Sequence, residues 1–174
     1  MIQVRAVTAD DWALLREARI RALVDAPKQF GATEAEARTL SEAQWRQLAE
    51  RGFSGGEALV VVAMDGGEPV GMGVIECDPG ERRRHRSRIW GVWVAGSMRG
   101  RGLGRRLLTV LLEWAKERDV VAVYLDVVVG NDPARSLYQR LGFVRRDLDP
   151  YSLRIDGEFI AQERLVLLLR PVEL

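Results

Sequence analysis

A basic turn rich in glycine, RGRGLG at residues 99–104, restricts the fold of this chain more than any other feature. The apolar run RIWGVWV (88–94) precedes it and is typical of a strand. From about Gly102 the segment GLGRRLLTVLLEWAKER repeats leucine every three or four residues, which is typical of an amphipathic helix. We therefore predict a strand, a tight turn and a helix whose apolar stripe packs on a sheet.

The chemistry of this turn favours an anionic ligand. The first backbone N–H groups of a helix have no intrahelical partner, and the helix macrodipole is positive at that end. Glycine removes the β-carbons that would keep a phosphate from these groups, and arginine binds phosphate oxygens in pairs. The turn and its flanks supply three glycines and four arginines: Gly100, Gly102, Gly104, Arg99, Arg101, Arg105 and Arg106. Together with the main chain at Leu103 they predict a cradle for a diphosphate. A plain strand-to-helix turn, with arginine for solubility, is the alternative.

Two familiar phosphate-binding motifs do not fit this spacing. A Walker-type loop ends in Gly-Lys-Ser/Thr, whereas Gly104 is followed by two arginines. The dinucleotide fingerprint needs Gly-x-Gly-x-x-Gly, and GRGLGR places the third glycine one position early. Neither a P-loop nor a Rossmann site is therefore predicted.

The remaining chain reads as hairpins first and alternating helices and strands later, which predicts a mixed α/β sheet rather than a fully parallel one. Thr8 is expected to cap the first helix, and Ser-x-x-Gln at Ser41 resembles a capping box. APKQFGATEAEA (26–37) has no clean period and is interpreted as a loop or a broken helical turn. The predicted strands are 2–7, 58–65, 69–77, 88–94, 120–129, 143–146 and 163–170, and the predicted helices are 8–24, 41–51, 102–118 and 132–142.

Composition limits the classes of function. The 174 residues suit one domain spanning 1–174, with 47% hydrophobic and 29% charged residues. A net charge of +1, from 26 basic and 25 acidic residues, is too balanced for binding nucleic acid by bulk electrostatics. One cysteine and one histidine argue against a disulfide framework and a structural metal. The chain shows no secretory signal and no apolar run of the roughly 20 residues that cross a bilayer, so we expect a cytoplasmic protein without a membrane partner.

Two motifs together resemble the GNAT superfamily of acetyl-CoA-dependent N-acetyltransferases. The family's pyrophosphate motif, Arg/Gln-x-x-Gly-x-Gly/Ala after a strand, is matched by Arg99, Gly102 and Gly104. Farther along, LDVVVGNDPARSLYQRLGF (125–143) is similar to the family element Leu-x-Val-x-x-x-Asn-x-x-Ala-x-x-Leu-Tyr-x-x-x-Gly-Phe. The two motifs occur in the family's order, with a helix and a strand between them.

This resemblance implies a fold and a set of cofactor contacts. It implies a mixed, mostly antiparallel sheet of six to seven strands flanked by about four helices, with a cleft between splayed parallel strands. The pantetheine arm of acetyl-CoA would lie beside residues 88–94 and meet main-chain N–H groups of Val92 and Val94. Asn131, Arg135 and Tyr138 would contribute further cofactor contacts.

Catalysis needs an acceptor amine in its free-base form and a proton for the departing thiolate. Some family members carry a glutamate on the strand before the cradle, but RIWGVWV has none. Glu76 and Asp126 are the candidate substitutes, although Asp126 also fits an uncatalytic polar face. Tyr138 is the candidate acid by its place in the family pattern, and its apolar helix stripe leaves a plain core role open.

The sequence therefore predicts acetyl transfer from acetyl-CoA to a primary amine, with no metal. A non-catalytic acyl-CoA-binding module is the alternative, and a nucleic-acid accessory domain built on the arginines is a weaker one. The segment Phe30 to Glu36 is expected to contact the acceptor, and Trp12 and Trp45 to pack the first helices on the sheet beside the acceptor cleft. The identity of the amine is left open, as is a homodimer.

Overall fold

The computed structural model describes residues 1–53 and 56–171. Over those residues the chain is mixed α/β, with seven strands and five α-helices, which confirms the predicted class. The strands are β1 (Gln3–Ala6), β2 (Ala58–Asp65), β3 (Glu68–Cys77), β4 (Arg86–Val94), β5 (Ala122–Val128), β6 (Val144–Ile155) and β7 (Glu158–Leu168). The helices are α1 (Trp12–Asp25), α2 (Glu34–Thr39), α3 (Glu42–Phe53), α4 (Leu103–Lys116) and α5 (Asp132–Arg140).

The strands form one sheet in the order β1-β2-β3-β4-β5-β7-β6. The pairs β1–β2, β2–β3, β5–β7 and β6–β7 are antiparallel. Hydrogen bonds from Ala95 N to Val70 O and from Asp78 N to Arg86 O give β3 and β4 the same antiparallel sense. A parallel register joins Arg86–Arg88 to Ala122–Tyr124. The predicted cleft between these two strands stays a prediction.

The chain separates into two compact units, of which the first comprises Met1–Glu76 and Ile89–Trp114. Its helix α4 packs on β3 through Leu107 and Leu111, because a Cβ added at Gly71 or Gly73 would lie 3.1 or 3.0 Å from those side chains. The predicted apolar stripe of this helix therefore faces the sheet. A second cluster of buried side chains joins α1 and α3 to the sheet; its largest members include Leu15, Leu23, Trp45, Met72 and Trp93.

The second unit comprises Cys77–Arg88 and Ala115–Leu174. Its buried apolar side chains come from β5, β7 and the segment after α5, and include Leu125, Phe143 and Leu165. Phe143 meets Tyr138 edge to face, with ring centroids 6.0 Å apart. The closing segment of the 125–143 motif thus supplies core of this unit.

The start of α1 differs from the prediction that Thr8 caps it. Asp11 is the residue before the helix, and its carboxylate accepts hydrogen bonds from the backbone N–H and the hydroxyl of Thr8, both at 2.7 Å. Arg5 of β1 adds a two-pronged ion pair to the same carboxylate at 2.7 and 2.9 Å. Threonine therefore donates to the cap-position carboxylate instead of capping the helix itself.

Segment 26–37, expected to be a loop or a broken turn, contains the start of the additional helix α2. Thr33 and Glu36 form a reciprocal capping box: Glu36 N donates to Thr33 Oγ1 at 3.1 Å, and Thr33 N donates to Glu36 Oε2 at 2.7 Å. Thr-x-x-Glu was therefore the local signal for this helix. The capping box predicted at Ser41 is present, with Ser41 N donating to Gln44 Oε1 at 2.8 Å.

The last two strands are much longer than the predicted 143–146 and 163–170. β6 and β7 form a hairpin closed by Asp156 and Gly157, whose φ values are both positive, 51° and 86°. An Asp-Gly pair of this conformation is a strong hairpin signal that the polar character of the flanking residues obscured. Along residues 1–53 and 56–171, every helix falls short of the length and apolar character needed to cross a bilayer.

Candidate active site

The glycine-rich turn leaves open space at its surface. Gly100 and Gly102 have φ values of 75° and 76°, a conformation that glycine adopts without steric cost. A Cβ built at either position meets nothing within 4 Å, so local packing does not require the glycines. Backbone conformation and access to the main chain are what they provide.

The backbone at the start of α4 fits an anion. The first hydrogen bond of the helix runs from Arg106 N to Gly102 O at 3.1 Å, so the N–H groups of Leu103, Gly104 and Arg105 precede it. These groups, the open turn and the positive end of the helix dipole together fit a diphosphate.

The arginines around the turn do not all face this space. Arg99 donates through Nε to Val94 O at 3.0 Å and through Nη2 to Asp25 at 2.6 Å. Arg106 donates to Ile2 O at 3.1 Å. Arg101 and Arg105 are exposed. The guanidinium of Arg99, expected to bind phosphate, is in this structure a tie between the turn and the end of α1.

Asp25 organises that tie and was missed by sequence reasoning. Its Oδ2 accepts from Trp93 Nε1 at 2.8 Å as well as from Arg99. One carboxylate thus links α1, β4 and the turn within the first unit. Asp25 and Arg99 lie 74 positions apart in the sequence, so no local pattern predicts their contact.

Gly91 interrupts the alternation of β4. Its φ is 63°, and both Trp90 and Trp93 pack on the buried cluster with α1, although strict alternation would place them on opposite faces. Val92 faces the other way, since a Cβ at Gly73 would lie 3.8 Å from its side chain. The strand predicted to accompany the pantetheine arm therefore carries an irregularity at its centre.

A pocket of about 630 Å³ lies in the first unit, beside Trp90. Its walls are mostly apolar and come from α1, α2, α3, β2, β3 and β4. Four charged side chains reach it: Arg19, Glu36, Arg51 and Glu76. Trp45 and part of the 30–36 segment, Gly31, Ala32 and Glu36, line it as well, and their contact with an acceptor remains a prediction.

Glu76, the candidate base, is held at the pocket wall by two donors. Its Oε1 accepts from Trp90 Nε1 at 3.1 Å, and its Oε2 accepts from Arg51 Nη2 at 3.1 Å. The side chain is 29% exposed. A carboxylate placed in this way can bind an ammonium group or accept a proton.

Arg19 is the second residue that sequence reasoning passed over. Its guanidinium lies over the rings of Phe30 and Trp90, 5.1 and 5.5 Å from their centroids. Burial lowers the pKa of this guanidinium from its ordinary value. A charged residue inside the apolar stripe of α1 was the available signal, because such a residue must either be paired or bind something.

The three residues of α5 and its cap that were expected to meet the cofactor already have structural partners. Asn131 accepts from Ala134 N at 3.4 Å and caps α5. Arg135 Nε lies 3.0 Å from Glu163 Oε2, and the same carboxylate, 8% exposed, pairs with Arg145 at 3.2 Å. Tyr138 is buried. Their cofactor contacts stay predictions.

Burial raises the pKa of the Tyr138 phenol to about 12. The hydroxyl group is therefore neutral throughout the physiological range, which keeps its proton available. The same shift makes the phenol a weaker acid than the ordinary tyrosine assumed from the sequence.

Asp126, the other substitute base, belongs to a polar face. Arg164, its cross-strand neighbour on β7, donates to both carboxylate oxygens, at 2.9 and 3.3 Å. Asp126 lines a small pocket with Asp147 and Asp149 in the second unit. Among residues 1–53 and 56–171, no group of three His, Cys, Asp or Glu side chains is arranged to hold a metal ion.

Sequence comparison identifies the family to which this mixed sheet and glycine-rich turn belong. The profile of the acetyltransferase (GNAT) family matches residues 18–143. The chain belongs to this family.

Relatives of known name match over parts of their length. A mycothiol acetyltransferase of Pseudarthrobacter chlorophenolicus is 32% identical over 146 residues, covering 80% of this chain and 40% of that protein. The N-alpha-acetyltransferase RimI of Mycobacterium tuberculosis is 41% identical over 66 residues, covering 38% of this chain and 40% of that protein. The chain thus spans about 40% of the length of these relatives.

Solved structures share the fold along the whole chain. A GNAT-family acetyltransferase of Streptococcus pneumoniae has a TM-score of 0.85 at 23% identity, covering 97% of this chain and 100% of that one. The putative acetyltransferase yncA of Salmonella typhimurium was solved with its cofactor acetyl-CoA. It has a TM-score of 0.82 at 19% identity, and the match covers 100% of this chain and 97% of the yncA chain. At these identities the likeness establishes the fold.

Proposed function

We propose that this protein is an N-acetyltransferase that moves an acetyl group from acetyl-CoA to a primary amine. The observation that carries the proposal is the open turn at Gly100 and Gly102 before α4, in a chain of the GNAT family. Main-chain N–H groups of Leu103, Gly104 and Arg105 would hold the diphosphate, with the exposed Arg101 and Arg105 adding charge. Backbone groups of Val92 and Val94 on β4 would meet the pantetheine arm.

Acetyl-CoA supplies an acetyl thioester. The amine nitrogen attacks the carbonyl carbon, a C–N bond forms, and the C–S bond breaks with its electron pair remaining on sulfur. One proton leaves the amine and one is needed by the thiolate, so the balanced products are an amide and CoA as a thiol. The protein's task is to orient the amine and move these two protons.

Glu76 is the proposed proton acceptor for the amine. It lies on the wall of the 630 Å³ pocket, and Trp90 and Arg51 fix both carboxylate oxygens. A carboxylate held in this way can accept an ammonium hydrogen bond and take the proton directly or through water. It would replace the glutamate that β4 lacks.

Tyr138 is the proposed proton donor to the thiolate, on the strength of the family motif it occupies. Asn131 and Arg135 of the same motif are proposed to contact the cofactor in addition to their structural roles. The absence of a glutamate from RIWGVWV keeps one second candidate, a module that binds acyl-CoA without turnover.

Release of CoA thiol over a panel of primary amines separates the two functions. An enzyme releases CoA in proportion to added amine, with acetylated amine detected by mass spectrometry in equal amount. Binding of acetyl-CoA without amine-dependent thiol release would leave the non-catalytic module.

The cradle is tested by calorimetry of acetyl-CoA on Gly102→Asp, which places a carboxylate where the diphosphate is proposed to lie. We expect binding to be lost, because like charges repel in the turn and the backbone there is strained for any residue with a β-carbon. Gly80→Asp is the matched control, since Gly80 has a φ of 93° and open space in a different loop. Retained affinity in Gly102→Asp would remove the cradle from this turn.

A further inference from the structure

We infer that the acceptor carries a carboxylate beside its amine, and that Arg19 in the 630 Å³ pocket binds that carboxylate. The inference rests on the proposed function, and it narrows the acceptor to small amino acids with an apolar side chain. Three observations carry it: a cation and an indole N–H that have no acceptor among residues 1–53 and 56–171, and a carboxylate on the same pocket wall.

Arg19 has no anionic partner among residues 1–53 and 56–171. Its Nη1 is fully buried and makes no hydrogen bond with any described residue. This nitrogen lies against β4, 3.3 Å from where a Cβ of Gly91 would be. The guanidinium takes part in the pocket wall between Phe30 and Trp90, and its aromatic contacts provide no hydrogen-bond acceptor in the plane of the group.

A half-buried guanidinium without an acceptor is costly, and folded proteins normally pair such a group. Arg21, two residues farther along α1, illustrates the contrast, because it pairs with both Glu17 and Glu68. Arg19 instead lies over Phe30 and Trp90 at the wall of the apolar pocket. A ligand carboxylate would supply the missing charge and acceptor oxygens together.

Among the described residues that line the pocket, Arg19 is the cation without an anionic partner. Arg51 is paired with Glu76. Exposed Glu36 accepts from the backbone and hydroxyl of Thr33 in its capping box. The indole Nε1 of Trp45 is a second buried donor that meets no acceptor in the described chain, although the residue is only 2% exposed. Both residues line the pocket, and folded proteins normally pair buried donors of this kind.

Trp90 relates the cation to the candidate base. Its ring faces Arg19 while its Nε1 donates to Glu76. Arg19 and Glu76 thus contact the same indole, the first over its ring and the second at its Nε1, and the ligand's adjacent carboxylate and ammonium group are placed beside that ring. The apolar walls, which include Leu40, Leu48, Met72 and Val74, suit an aliphatic or aromatic side chain. An amine at the end of a peptide would bring an amide there, with no charge for Arg19.

The test compares leucine and phenylalanine with leucinamide and phenylalaninamide, which differ in the carboxylate alone. Binding in the presence of CoA is measured by equilibrium dialysis, and kcat/KM by amine-dependent CoA release. Each is measured for wild type, Arg19→Met, Arg19→Lys and the control Arg21→Met. The acid-to-amide ratio is compared between proteins, so that differences in amine basicity cancel.

We expect wild type to bind the acids, and Arg19→Met to lower the acid-to-amide ratio by about 10- to 100-fold, the range of a hydrogen-bonded charge. Arg19→Lys should restore part of the ratio, and Arg21→Met should leave it unchanged. Turnover of the amides with no binding of either acid would overturn the inference while the acetyltransferase stands. An Arg19-independent ratio, or no binding of either acid, would overturn it as well. If the acids bind in an Arg19-dependent way but no CoA is released, the carboxylate site is supported and the proposed acetyl transfer is wrong.

Discussion

Burial of the Tyr138 hydroxyl group has two opposite effects on its proposed role as a proton donor. With its pKa raised to about 12, the phenol remains protonated at any physiological pH. An ordinary thiol has a pKa near 8.5, so proton transfer from this phenol to a solvated thiolate would be uphill. Desolvation raises the pKa of a thiolate in the same sense, which brings donor and acceptor closer when water is excluded from both.

Tyr138→Phe is expected to lower kcat by about 100-fold or more, the usual size of a lost general acid. Acetyl-CoA affinity should change little, because the ring and its edge-to-face contact with Phe143 remain. Because the phenol titrates only near pH 12, the wild-type rate should show no loss from its ionisation between pH 6 and 9. Steady-state kinetics and calorimetry provide both readouts. Tyr124→Phe, in a tyrosine that stacks with Arg86, is the matched control, and an unchanged kcat in Tyr138→Phe would leave Tyr138 a core residue.

One carboxylate in the first unit contacts three of its elements. At the end of α1, Asp25 binds Trp93 of β4 and Arg99 of the turn. The Arg99 side chain is 56% exposed, so its ion pair is worth no more than about 1 kcal/mol. Its effect is positional: the guanidinium also holds Val94 O, and both contacts define where the turn starts.

Asp25→Asn should raise the acetyl-CoA dissociation constant by roughly 2- to 5-fold, because the turn loses one anchor of about 1 kcal/mol or less. Isothermal calorimetry at low ionic strength measures the change, and added salt should shrink it. Asp10→Asn, at an exposed position of the same unit, serves as control. Tighter binding in Asp25→Asn would mean that the released Arg99 is a phosphate ligand held back by Asp25.

At the scale of the whole molecule, the decrease in the free energy of unfolding at acid pH should depend on Asp11. Hydrogen bonds from Arg5, with help from Thr8, hold the pKa of Asp11 well below its usual value. A carboxyl group whose pKa is lowered by folding stabilises the protein above its unfolded pKa, near 3.9, and loses that contribution as pH falls toward the folded value. The contribution of Asp11 is therefore complete at pH 7 and declines below about pH 4.

Asp11→Asn should lower the free energy of unfolding at pH 7 by about 1–2 kcal/mol, through the lost charged hydrogen bonds between β1 and the start of α1. The difference from wild type should narrow as the pH approaches 3. Urea unfolding followed by circular dichroism at several pH values measures it, with Asp10→Asn as the neighbouring control. If the loss in free energy of unfolding did not vary with pH, the charge of Asp11 would not be its cause.

Much of the fold could be predicted from patterns within short stretches of sequence. The stripe of α4 faces the sheet and the capping box at Ser41 starts α3, because each depends on spacing within one or two helical turns. Thr-x-x-Glu at Thr33 and the Asp156-Gly157 turn carried equally local signals for α2 and the β6–β7 hairpin, and both were overlooked. The predicted Thr8 cap was wrong because Asp11 is the residue before the helix, and its carboxylate accepts hydrogen bonds from both Arg5 and Thr8.

The sequence by itself determined the family and the anion-ready turn, since both reside in short motifs whose backbone chemistry needs no distant partner. Only the tertiary structure decided which charges are free. Both Arg99 and Arg19 are plain arginines in the sequence, yet Arg99 is bound by an aspartate 74 residues away, whereas Arg19 beside Trp90 has no anion among the described residues. Which charged side chains are paired or buried depends on which elements come into contact in the fold. The proposal for the acceptor rests on those contacts.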